Sequence, residues 1–227
     1  MKYSDLVSTL ERKPLAPLYL LLGEEEYLRD RAIDVIRSHT TSIGKEEDLD
    51  VSSRKSLGQN KEFSCDFLYG DEISGQDLLA HAQEISFFST YRLLVLKWAD
   101  KFSASDGEAL TSYFLEPFAS TTLIVSASKL DGRLKWVQVL KKQAIVVDCL
   151  PLYENERLVW VRQEGSRLGV QLDSEAIISL KDLAKDGLYV ARYELEKLAL
   201  YVPPGRKAGS ADVLAVQGAE CGASVLI

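Results

Sequence analysis

Cysteine and histidine are scarce in this sequence, and this scarcity excludes several kinds of site. There are 3 cysteines and 2 histidines among the 227 residues. Cys65, Cys149 and Cys221 lie far apart and form no CxxC pair, and His39 and His81 are isolated. Such an odd, sparse set of cysteines is typical of reduced thiols in the cytoplasm. The sequence therefore predicts a cytoplasmic protein without a disulfide framework, a metal site or a catalytic histidine.

Long apolar runs and excess positive charge are also lacking. No apolar run reaches the length of about 18 residues that a membrane span needs. The N-terminal residues 1–5 lead into a polar helical pattern and lack the apolar core of a signal peptide. The formal net charge of −7 argues against strong nucleic-acid binding by the chain alone. A small basic surface within a larger assembly remains compatible with that charge.

A phosphate-binding loop is missing from the place where a nucleotide-binding fold would carry it. The G-x-x-x-x-G-K-[ST] pattern supplies backbone amides and a lysine for the phosphates and a hydroxyl for magnesium. Gly23 follows the first predicted strand, but no second glycine and no Lys-Ser pair come after it. The carboxylates of Glu24, Glu25 and Glu26 would repel a triphosphate. G-x-S-x-G and H-E-x-x-H are absent too, so the sequence predicts no ATP hydrolysis, no catalytic residue and no cofactor.

Short apolar runs alternate with helical patterns over residues 1–150, which is typical of a parallel α/β sheet. The runs are rich in Leu, Ile and Val, as expected for strands that are covered on both faces. Capping-box spacing at Ser74 with Asp77 and at Ser105 with Glu108 predicts two helix N-termini. The predicted strands are Leu18–Leu22, Asp66–Tyr69, Leu93–Leu96, Thr122–Ser126 and Ala144–Val147.

Helical patterns alone follow Pro151, which predicts a domain boundary there. Three apolar periodicities predict a small bundle of three helices over residues 151–201. Pro203-Pro204-Gly205 stops the last helix, and the tail over residues 202–227 is rich in Ala, Gly and Val with little periodicity. The predicted helices are Glu154–Leu168, Ser174–Lys185 and Leu188–Tyr201.

The segment from Gln83 to Phe88 reads Gln-Glu-Ile-Ser-Phe-Phe at the point where a helix gives way to a buried strand. Two adjacent phenylalanines on such a corner can project into a groove on a partner, since each buries about 150–250 Å². Gln83 would add directional hydrogen bonds at the rim of that groove. Spacing alone leaves a second interpretation open, in which Phe87 and Phe88 fill the gap between helix and sheet.

Basic residues surround the predicted helix after the fourth strand. Lys129, Arg133 and Lys135 form the exposed outer face of the domain on the simpler interpretation. On a second interpretation they contact the phosphates of primer–template DNA within an assembly, which would be sensitive to salt and independent of base sequence.

The residues Gln83, Ser86, Phe87 and Phe88 resemble, position by position, the clamp-binding element of the delta subunit of the bacterial DNA polymerase III clamp loader. Three further segments resemble the same family in the family's order: Pro17–Leu28, Leu123–Val125 with Lys129–Asp131, and Glu194–Tyr201. The resemblance covers roughly residues 1 to 201. It implies an AAA+-like (RecA-like) parallel sheet domain followed by a three-helix lid domain.

The resemblance also implies a function and a set of partners. Phe87 and Phe88 would bind the sliding clamp (the beta subunit) and promote ring opening, so that the clamp is loaded on primed DNA. ATP would be bound by the ATPase subunits of the loader, with delta prime and primer–template DNA as further partners. The chain would not be an enzyme on its own but part of a DNA-directed DNA polymerase (nucleotidyltransferase) holoenzyme. The tail does not look like the family's collar domain, so we expect clamp binding without stable assembly into the loader.

Two other functions remain open at this point. One is a P-loop-type nucleotide-binding ATPase with a degenerate phosphate site, which measurable binding of magnesium and ATP would support. The other is an AAA+-like adaptor whose partner is not a clamp, which would share the fold but not the role of Phe87 and Phe88.

Overall fold

The computed structural model describes residues 1–46, 64–84 and 91–218. The chain divides into two compact units, Met1–Leu150 and Pro151–Ile227. In the part of the chain that is described, no helix has the length and apolar character needed to cross a membrane, and no cluster of His, Cys, Asp and Glu side chains could hold a metal ion.

The first unit is built on a five-stranded parallel sheet with the order β2-β3-β4-β1-β5. This confirms the predicted mixed α/β class with a parallel sheet. Leu20 and Leu21 of β1 point to opposite faces of the sheet, and both are fully buried. The strands are β1 (Leu18–Leu22), β2 (Ser64–Tyr69), β3 (Arg92–Lys97), β4 (Thr121–Ala127) and β5 (Ile145–Asp148).

Helices cover this sheet and complete its core. Leu94 and Leu96 of β3 and Leu123 of β4 pack in one cluster with Leu78, Phe114, Trp136 and Leu140 from the surrounding helices. The helices are α1 (Tyr3–Leu10), α2 (Glu26–Glu46), α3 (Gly75–Gln83), α4 (Ala104–Ala109), α5 (Thr111–Leu115) and α6 (Lys135–Gln143), with a short 3-10 turn at Ala99–Lys101.

The N-terminal cap of α4 differs from the predicted one. Ser105 and Glu108 do not form the cap, because α4 begins two residues earlier, at Ala104. The Ser103 hydroxyl accepts the Asp106 N–H, and the Asp106 carboxylate accepts the Ser103 N–H, each at 3.2 Å. Asp106 also accepts the N–H of Gly75 at 3.0 Å, which ties the start of α4 to the start of α3. The hydrogen bond from Gly75 to Asp106 favours Ser103 with Asp106 as the capping pair over the predicted Ser105 with Glu108. The predicted hydroxyl cap of α3 by Ser74 is confirmed.

The second unit contains α7 (Glu154–Arg167), α8 (Ser174–Leu183), α9 (Leu188–Tyr201) and α10 (Ser210–Gly218). A short parallel pair joins β6 (Gln171–Leu172) to β7 (Lys207–Ala208). β7 and α10 lie in the segment where the sequence showed little periodicity, yet Ala208, Val213 and Val216 are buried. The pattern was weak because α10 mixes small and β-branched residues with Leu214, which is 67% exposed.

Candidate partner-binding site

The segment predicted to bind a partner begins at the end of α3. Gln83 is the last residue of this helix, and its side chain is exposed to solvent. Ser86, Phe87 and Phe88 lie outside the described residues. The described chain resumes at Tyr91, directly before β3. The structure therefore gives the two ends of this segment and the side chains that hold them.

Arg92 ties the end of α3 to the neighbouring strands. Its guanidinium donates to the Asp66 carboxylate on β2 at 2.8 and 2.9 Å. It also donates to the His81 carbonyl at 2.9 Å and to the Glu84 carboxylate at 3.1 Å. The Arg92 side chain is only 13% exposed. Burial disfavours its charge, but the hydrogen bonds to Asp66 and Glu84 outweigh burial and raise the pKa of Arg92.

Tyr91 fixes the other end of the segment against the sheet. Its hydroxyl lies 2.6 Å from the Thr122 hydroxyl at the start of β4. Thr122 in turn donates to the Ala16 carbonyl at 2.9 Å, so Tyr91 is the donor in its own hydrogen bond. Burial raises the pKa of Tyr91, and the phenol therefore keeps this proton at neutral pH. The described residues on either side of this segment are thus anchored to the sheet.

An exposed apolar pair lies at the same edge of the sheet, and the sequence reasoning did not identify it. Leu115 at the end of α5 is 54% exposed, and Phe118 is 45% exposed. The loop that carries Phe118 is bound to β3 through the Arg92 N–H, which donates to the Ser120 carbonyl at 2.9 Å. In the sequence, these two apolar residues flank Glu116-Pro117, and the proline ends a helix. An apolar residue on each side of a helix end was the signal that could have identified them.

The loop after β1 occupies the place where a nucleotide-binding fold would hold phosphates, and its amides are turned to the neighbouring strands. The Gly23 N–H donates to the Ala127 carbonyl at 3.2 Å, and the Glu25 N–H donates to the Cys149 carbonyl at 3.0 Å. The buried Arg29 guanidinium donates to the Gly23 carbonyl. These groups are therefore bound within the protein, and the loop does not present them to an anion.

The three basic residues predicted to contact DNA lie around one turn between β4 and α6. Lys129, Arg133 and Lys135 are all exposed. Arg133 donates to both oxygens of Asp131 at distances from 2.7 to 3.1 Å. These hydrogen bonds from Arg133 lower the pKa of Asp131 to about 2. Arg133 is thus neutralised within its own turn, whereas no acid among the described residues pairs with Lys129 or Lys135.

Comparisons with known proteins agree with this architecture. Residues 55–150 match the family described as DNA polymerase III, delta subunit. No curated protein matches the chain. Among solved structures, the chain is similar to the Bacillus subtilis DNA clamp loader delta protein, with a TM-score of 0.60 and 22% identity over 94% of this chain and 61% of that one.

Two other solved structures show the same fold with lower identity. The Thermotoga maritima RuvB Holliday junction branch migration motor has a TM-score of 0.57 and 11% identity, over 95% of this chain and 66% of that one. Domain III of the T. maritima replication initiation protein DnaA has a TM-score of 0.56 and 12% identity, over 94% of this chain and 88% of that one. These similarities establish an AAA+-type fold, and the chain spans 61% of the length of the B. subtilis delta protein.

Proposed function

The resemblance to the delta subunits of DNA polymerase III is confirmed by the family match over residues 55–150, and on this premise we propose that the chain acts in a clamp loader. It binds the ring-shaped sliding clamp and promotes the opening of that ring. One observation carries the proposal: the matched residues include Gln83, Ser86, Phe87 and Phe88 together with Tyr91 and Arg92, which anchor the chain beside them.

Phe87 and Phe88 are the proposed anchors of the contact. Two phenylalanines that enter an apolar pocket bury enough surface to dominate a small interface. Gln83 is exposed at the end of α3, where its amide can donate and accept at the rim. If the chain binds the open ring more tightly than the closed one, ring opening follows as a shift between two existing populations. The chain itself then needs no ATP.

Titration of the chain against the sliding clamp of its own species tests this proposal. Saturable binding in fluorescence anisotropy supports it. A folded chain that leaves the clamp unbound contradicts it and favours an adaptor that shares the fold but has another partner.

Arg92→Ala is expected to weaken clamp binding about threefold to tenfold without removing any predicted contact residue. Arg92 holds the end of α3 to β2, so its loss frees the helix end that carries Gln83, and this freedom has to be given up on binding. The measurement is the affinity for the clamp, together with the free energy of unfolding in urea. Arg133→Ala is the matched control, because Arg133 is exposed and, within the described part of the chain, forms its ion pair with Asp131 in its own turn. Equal affinities of the two variants would show that Arg92 does not contribute to clamp binding.

Magnesium and ATP are expected to leave the amide chemical shifts of residues 23–26 unchanged when they are added to this chain. The reason is that the amides of Gly23 and Glu25 are bound to the carbonyls of Ala127 and Cys149, and Glu24 and Glu26 add two exposed carboxylates beside them. Saturable shifts of these loop amides would contradict this prediction and restore the nucleotide-binding alternative.

The remaining roles follow from the family and are part of the same proposal. The ATPase subunits of the loader and delta prime are the proposed protein partners, within the polymerase holoenzyme at the cytoplasmic replisome. Primer–template DNA would contact Lys129 and Lys135 more strongly than Arg133, because the charge of Arg133 is matched by Asp131.

A further inference from the structure

A cavity of about 570 Å³ that is open to solvent lies in the second unit, between the C-terminal end of α7, the β6–β7 pair and α8. Its volume is in the range of about 300–1,000 Å³ that is typical of small-molecule sites. Val170, Leu172 and Ile177 give it an apolar floor, and Arg162 and Lys207 contribute two cations to its lining. The residues proposed to bind the clamp belong to the first unit and do not line this cavity.

The walls of the cavity are fixed by local geometry. Gly169, with φ +75°, follows the C-terminal end of α7, and the next N–H, from Val170, donates to the Gly165 carbonyl at 2.8 Å. The chain then enters β6, where Gln171 pairs with Lys207 of β7. A Cβ at Gly165 would lie 2.9 Å from a methyl carbon of Leu172, so glycine allows β6 to lie this close to α7. Arg162 and Lys207 are thereby brought to one cavity from distant parts of the chain.

The charge of the cavity is unusual for this protein. The chain carries a net charge of −7, yet no Asp or Glu is among the described residues that line the cavity. Two acids near the lining in sequence, Glu164 and Asp173, accept hydrogen bonds from other groups. Glu164 accepts from Arg167 at 2.6 Å and from Arg192 at 2.9 Å, and Asp173 caps α8 through the Ala176 N–H at 2.8 Å.

Arg162 and Lys207 differ from the cations around them because neither has an acidic partner among the described residues. Among the described residues, no acid lies within ion-pair distance of either side chain, whereas the adjacent Arg206 is paired with Asp212 at 2.8 Å. The partial negative charge at the end of α7 opposes an anion. It is reduced here because the carbonyls of Gly165 and Ser166 accept N–H groups from Val170 and Gly169. The charges of Arg162 and Lys207 therefore make the described lining of the cavity positive.

We propose that this cavity binds a nucleotide unit, with its phosphate between Arg162 and Lys207 and its base over the apolar floor. The planar guanidinium of Arg162 can donate two hydrogen bonds to one phosphate, and Lys207 adds a point charge. The Ser166 hydroxyl in the same lining is a further donor. The nucleotide unit is either a free mononucleotide or one link of single-stranded nucleic acid.

The test uses the full chain and two probes, dTMP and a single-stranded oligothymidylate, without magnesium. Amide chemical shifts are followed during titration, and the expected changes centre on Gly169, Gln171 and Lys207. Arg162→Ala/Lys207→Ala is expected to weaken binding at least about tenfold, since it removes both charged donors. Arg12→Ala/Lys13→Ala is the matched control, because it removes the same two residue types from an exposed position in the first unit. It should change the affinity less than about twofold.

The two probes identify the source of the nucleotide unit. Binding of both, with an affinity for the oligonucleotide that falls as salt is raised, supports a nucleic-acid strand. Binding of dTMP alone supports a free nucleotide. The proposal is overturned if neither probe shifts the cavity amides, or if the cavity variant, with an unchanged unfolding curve, binds as tightly as the control variant.

Discussion

Alanine at both Phe87 and Phe88 is expected to weaken binding to the sliding clamp at least about thirtyfold, which corresponds to ~2 kcal/mol. The two rings are the largest apolar groups in the segment, and truncation leaves their pocket on the partner unfilled. Either single variant should lose less than the double variant, and Gln83→Ala less again. A hydrogen bond at a solvated rim contributes less than a buried aromatic ring.

The measurement is a titration of each variant against the clamp by fluorescence anisotropy, beside a thermal unfolding curve. Leu200→Ala/Tyr201→Ala is the matched control, because it removes two adjacent apolar side chains, 91% and 55% exposed, from the second unit. It should bind as the original chain does. A folded double variant that retains full affinity would place the contact elsewhere. The exposed pair Leu115 and Phe118, at the same sheet edge, would then be the next site to replace.

The three central strands, β1, β3 and β4, could be predicted from the sequence because they are covered on both faces. Each of them is then a largely apolar run, and the predicted span of β1, Leu18–Leu22, is the observed one. The short pair β6–β7 gives no such signal. Two residues in each strand are too few for a pattern, and their pairing joins residues that are far apart in the sequence.

The candidate site was predicted only in part, and the reason is similar. The motif from Gln83 to Phe88 is continuous in sequence, so its resemblance to a known element could be noticed, and its role in binding stays a prediction. Its anchors are not continuous: Arg92 reaches Asp66 across 26 positions, and Tyr91 reaches Thr122 across 31. No local spacing encodes such pairs. The pairing of Arg133 with Asp131, two positions away, was within reach of the sequence and reduces the basic surface predicted there.

Gly23→Ala is expected to lower the free energy of unfolding by about 3 kcal/mol or more. Gly23 has φ +148°, a conformation that residues with a Cβ rarely adopt. A Cβ there would also lie 2.1 Å from the Cys149 carbonyl oxygen. Both obstacles are in the backbone, so a side-chain rotation cannot relieve them, and the loop after β1 would have to leave the end of β5.

Urea unfolding of Gly23→Ala beside Gly132→Ala measures this effect and tests the closed loop at the same time. A Cβ at Gly132 meets nothing within 4 Å, so its substitution should change the stability by no more than about 0.5 kcal/mol. If Gly23→Ala were as mild, the loop would not be packed on Cys149 in solution. Its amides would then be free to meet phosphate, and the nucleotide-binding alternative would regain its physical basis. A large loss confined to Gly23 instead means that the fold uses this loop for its own stability and does not present its amides to a phosphate.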